Sequence, residues 1–154
     1  MSEPNRRELA LNSLDEVVAE VERLAMGEVV TTGKHSFPQI VRHLALSNDM
    51  MTGRIAPPKP PLLMRLMLPL IRSAILRGPV KPGVKLPSSA EKVFWSDKEI
   101  SINDAIEMLK DSVRYYQQNG PLPVHPIFGK ASREQLDGLI CGHASMHLSF
   151  VHPR

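Results

Sequence analysis

Cysteine is almost missing from this chain: Cys141 is the only one in 154 residues. A lone thiol excludes an intrachain disulfide framework, and the opening residues MSEPNRREL are polar and charged, without the apolar core of a signal peptide. A reducing cytoplasm is the expected compartment. Long apolar runs are missing too. The nearest, PPLLMRLMLPLIRSAILRG at residues 60–78, is broken by Arg65, Pro69, Arg72 and Arg77, and a spanning helix needs about 18 uninterrupted apolar residues. This basic, apolar segment is expected to pack on its own domain or on a twin subunit, with a role on a membrane surface ranked below both. Charge of one sign is also scarce. There are 19 Lys and Arg against 16 Asp and Glu, a net +3, and the basic residues are scattered instead of interleaved with aromatics, so nucleic acid is not an expected partner. No internal repeat or low-complexity tract is present.

What is present suits an ordinary folded protein. Hydrophobic residues make up 42% and charged residues 23%, and a chain of this length can bury roughly two thirds of its unfolded surface in one core. A single domain over residues 1–154 is expected. Four helices declare their starts through Ser-x-x-acid or Ser-x-x-Gln segments, in which the serine caps a backbone N–H three residues on and the later side chain reaches back. Ser13 to Glu16 opens the first, running to about Met26 with Leu14, Val17, Val18, Val21, Leu24 and Ala25 on one stripe and Gly27 as a stop. Ser36 to Gln39 opens the second, to about Met51 before Gly53, with Phe37, Ile40, Val41, Leu44 and Met51 inward and Pro38 tolerated in the first turn. Ser101 to Asp104 opens the third, a looser box, which ends at Gly120-Pro121; its stripe is Ile102, Ala105, Ile106, Leu109, Val113 and Tyr116. Ser132 to Gln135 opens the fourth. Four capped amphipathic helices each need a partner for their apolar stripe, which implies an all-α four-helix bundle.

A long insert, about residues 54–99, separates the second and third of these helices and holds eight prolines. Regular structure there should be short, apart from one helix around Leu62 to Leu76. A connection of this length commonly carries a lid, a pocket wall or a subunit interface.

The closing helix contains CGHASMHLSF, in which His143 and His147 stand four apart and so on one face. Spacing puts both on the stripe Leu136, Leu139, Ile140, 143, 147, Phe150, and His43 sits on the shoulder of the second helix's stripe. Imidazoles at such positions are either satisfied core residues or ligands, because a buried unpaired polar group costs about 1–3 kcal/mol. An i, i+4 pair can reach one ion at about 2.0–2.1 Å without distorting a helix. The residue after His143 is Ala144, so the HExxH base of a zinc protease is absent. Asn48, Asp49, Tyr115 and Tyr116 are candidates for contacts around such a site, each set against a packing or solvated role. His125, in PVHPIFGK, either rims the pocket or packs in a turn. His35 and His152 are expected to be exposed, and Cys141, off the histidine stripe, to be a small buried hydrophobe.

Three stretches, GKHSFPQIVRHLALSNDM, PLIRSAILRGPVKPGVKLP and HPIFGKASREQLDGLICGHASMHLSF, resemble the DinB-like superfamily of metal-binding four-helix bundles, in a branch of small bacterial proteins of unknown function. The resemblance covers nearly the whole chain. It implies a divalent transition metal, zinc, nickel or iron, held by His43, His143 and His147, and a homodimer. It also implies a metal-dependent transferase that uses a low-molecular-weight thiol with a small-molecule substrate, with no catalytic residue named. The alternative is a metal-stabilised binding or stress-response module without turnover.

Overall fold

The structure, a computed structural model, describes residues 5–57 and 59–154; the start of the polar N-terminal stretch, residues 1–4, and Pro58 of the insert lie outside them. Among the described residues the chain is mostly helical. In order it forms α1 (Leu14–Ala25), β1 (Val29–Thr31), α2 (Phe37–Thr52), α3 (Leu62–Arg77), α4 (Ser88–Phe94), α5 (Ile102–Asn119), α6 (Arg133–Leu148) and β2 (Val151–Pro153).

The four serines cap the four helices named from sequence. Ser36 and Ser132 form full reciprocal boxes with Gln39 and Gln135. At Ser13 the hydroxyl accepts from the Glu16 N–H, but the Glu16 carboxylate accepts from the Asn12 N–H instead of returning to the cap residue. At Ser101 the Asp104 side chain accepts from the serine hydroxyl, since Asp is one methylene too short to reach back. Gly53 ends α2 in the left-handed region at φ 80°, where a β-carbon would also stand 3.0 Å from the Leu122 side chain.

α2 lies along α5, α1 packs across α5 and α6, and the apolar stripes of these four helices meet in one core with Val151 of β2. The inward set expected for α2, including Phe37, Ile40, Val41, Leu44 and Met51, is buried. α6 differs. Its core face runs through Leu136, Ile140, Cys141, Ala144 and Leu148, which moves His143 and His147 onto the flank. The small side chains at 141, 144 and 145 are buried on that core side, and the longer imidazoles line the cavity beside it.

Two features were not written in the periodicity. Strands β1 and β2 pair antiparallel, Val30 opposite His152, and so tie the end of α6 to the segment that enters α2. In the insert, α3 matches the helix expected there, and α4 adds one short helix packed on α2. No helix of the described residues is long and apolar enough to cross a membrane.

Candidate metal centre

α2 brings His43, and α6 brings His143 and His147, to one point. The His43 and His143 Nε2 atoms are 3.2 Å apart and the His143 and His147 Nε2 atoms 3.0 Å. One ring nitrogen from each lies within 4.8 Å of the other two.

Proton counting shows what this cluster asks for. His43 Nδ1 stands 3.3 Å from the Phe94 carbonyl, which can only accept, so the proton sits on Nδ1 and Nε2 presents a bare lone pair. His143 Nε2 faces two other Nε2 atoms but can carry one proton. If it donates to His43, it does not accept from His147; if it accepts from His147, its lone pair opposes that of His43. One proton on His143 Nε2 cannot make a linear hydrogen bond to both neighbours at once, whereas one cation can meet three lone pairs. The group of three could hold a metal ion, with Phe94 as the carbonyl that fixes the tautomer of His43.

The site is also electrically ready. Burial pushes His43 down to about 3 and His143 to about 4, and pushes His147 the same way, with the neighbouring imidazoles adding to the shift at His43 and His147. All three are neutral at pH 7, the form that ligates.

The end of the insert builds the wall. The Trp95 indole stacks on the His43 ring with centroids 3.9 Å apart and on the His35 ring at 3.7 Å, with planes within about 10° in both pairs. Trp95 is therefore sandwiched between the two imidazoles. Buried Arg42 of α2 clamps this segment by donating to the carbonyls of Lys98, at 2.7 Å, and Ser96. Position 42 lies one step round the helix from position 43, so one helix holds the ring and, through Arg42, the surface on which the ring rests.

Above the histidines opens a cavity of about 720 Å³. Trp95, Ile40, Val80, Leu86, Met146 and Phe150 give it an apolar lining, Lys34, Lys81 and His35 give it polar groups, and no carboxylate lines it. Val80 reaches α6 because position 142 is glycine: a β-carbon there would meet the Val80 side chain at 3.3 Å.

The other residues named from sequence lie elsewhere. Asn48 donates to Ser112 inside the core, Asp49 and Tyr115 both meet Arg54, and Tyr116 donates to Asp137 at 2.6 Å. None lines the cavity. His125 is buried in the turn before α6, where its Nδ1 accepts from the N–H groups of Ile127 and Phe128. It packs and does not rim the pocket. Cys141 is buried, its thiol pushed up to about 11 chiefly by desolvation. His35 and His152 are half-buried where exposure is expected: His35 leans on Trp95, and the His152 Nε2 lies 3.1 Å from the Asn5 carbonyl. Trp95 and Arg42 carry no spacing signal. The one clue is a lone tryptophan in a proline-rich connection.

Residues 3–154 match the family described as "Protein of unknown function (DUF1569)". The chain belongs to this family. No curated protein and no solved structure matches it. The family description names no activity, so the functional reading rests on the histidine cluster and its cavity.

Proposed function

We propose that the chain is a DinB-like four-helix bundle, its Pro-rich insert forming the pocket wall, and that it uses a divalent transition metal on His43, His143 and His147 for thiol-dependent transfer. The observation that carries this is the trio of converging Nε2 atoms, close enough together to share one ion. A bound divalent ion supplies one thing, a thiol sulfur held as its anion at neutral pH.

The remaining work falls to the chain. Three imidazole ligands would leave coordination positions free on a bound ion, and all three histidines line the cavity. The apolar lining takes an apolar substrate body; Lys81, beside a lining that holds no carboxylate, favours a thiol or acceptor with a negative charge, while Lys34 is shared with Glu91 at 3.9 Å. His35 is the titratable group placed to move a proton. It lines the same cavity and is held by Trp95, and burial keeps it neutral at pH 7 by lowering its pKa. A cavity with polar groups beside the cluster favours catalysis over the metal-stabilised, non-catalytic alternative. The homodimer implied by the resemblance belongs to this proposal as well.

Trp95, the only tryptophan, reports directly on the test. Adding zinc, nickel or ferrous ion to metal-free protein should change its emission saturably at one equivalent, and a low-molecular-weight thiol should change it again only in the loaded protein. His35→Gln should keep the first change and slow any thiol transfer found by screening. A loaded protein indifferent to thiols would remove the transferase reading and leave the binding module.

A further inference from the structure

The face of α3 turned to solvent is apolar. Leu62, Leu66 and Leu70 follow one another at steps of four along the helix, with Leu63 beside them, and all four are 66–75% exposed. Leu68 is the one residue of α3 that is buried. The segment is thus packed on its own core along one side only, and the opposite side presents leucine where a surface helix ordinarily presents charge.

Charge identifies what covers it. Residues 50–90 contain seven Lys and Arg and no Asp or Glu, so in a chain of net +3 the remainder stands at −4. Arg65, Arg72 and Arg77 lie on α3 itself and none forms an ion pair among the described residues; Arg77 falls on the leucine face, whereas Arg65 and Arg72 line the groove beside Leu68 and Gly129. A second copy docked on this face would bring the same arginines and no acid to meet them. An anionic lipid surface complements both properties: headgroups take Arg77 and the basic residues at the flanks of the helix, and the acyl boundary takes the leucines. At 16 residues α3 does not span, which leaves it in the plane of the interface.

We propose that α3, with its flanking basic residues, seats the protein on membranes that contain anionic lipid. Its connection to α4 supplies Val80 and Lys81 to the histidine cavity, so seating places the mouth of that cavity near the lipid surface. The inference is independent of the metal proposal.

Flotation of the full chain with vesicles tests it. With equimolar phosphatidylcholine and phosphatidylglycerol the wild type should float, at least about tenfold more than with phosphatidylcholine alone, and salt should reverse much of the difference. Leu66→Glu with Leu70→Glu should abolish flotation while far-UV circular dichroism and metal content stay at wild-type values; Arg77→Gln should weaken it and flatten its salt dependence. No flotation with either vesicle, equal flotation with both, or α3 variants that float like wild type would overturn the proposal. So would a wild type that ignores vesicles yet is dimeric, with the Leu→Glu pair monomeric, which would give the face to a second copy.

Discussion

His43 is held by three different interactions: its Nδ1 proton faces the Phe94 carbonyl, its ring lies on Trp95, and its Nε2 points at His143. Groups that orient a ligand without touching the metal are commonly worth 10–100-fold in affinity. Trp95→Ala should therefore weaken metal binding about tenfold, and Trp95→Phe, which retains a flat ring, should restore most of it; competition with a chelator of known affinity measures both. The HxxxH pair was legible from spacing, because i, i+4 fixes a shared face whatever surrounds the helix, and His43 from its place on the shoulder of the α2 stripe. Trp95 and His35 were not, since their positions depend on how a proline-rich connection folds back, and no periodic signal encodes that.

At the scale of elements, the serine caps were the most legible feature, since a cap is a local bond between residues three apart. All four helices begin at them. Ser36→Ala should cost about 1 kcal/mol in urea denaturation of the metal-free protein, with α2 otherwise intact. The core face of α6 was less legible. Six apolar or aromatic-sized positions suggested a stripe through the histidines, whereas Ala144 and Cys141, small residues that permit close helix contact, define the actual one. The β1 and β2 pair, three residues a side, is too short for alternation to reveal. Arg42 joins elements rather than forming one: it binds the segment after α4 to α2 through two carbonyls. Arg42→Lys loses the paired donors, so Trp95 should become more solvent-exposed, with a red-shifted emission and weaker metal binding at little cost to helicity.

On the scale of the whole molecule, buried neutral histidines set the response to acid. Burial lowers the pKa of His43 to about 3 and that of His125 in the same direction, from an ordinary value of 6.5. As pH falls below 6.5 the unfolded chain takes up protons that the folded, metal-free chain refuses. Stability is thus full above about pH 6.5 and declines below it. At pH 5.5 His43 alone should cost about 1 kcal/mol relative to neutral pH, with His125 adding in the same direction, visible as a lower denaturation midpoint in guanidinium chloride. Unchanged midpoints between pH 7 and 5.5 would mean that neither histidine is buried as described.

The central claim, that three histidines from two helices form one metal site, is tested most directly by elemental analysis. Protein purified without a histidine tag and assayed by inductively coupled plasma mass spectrometry should carry, or accept on loading, about one transition metal per chain, and His43→Ala, His143→Ala and His147→Ala should each abolish it. A wild type that holds no zinc, nickel or iron after loading, or variants that keep the ion, would contradict the account.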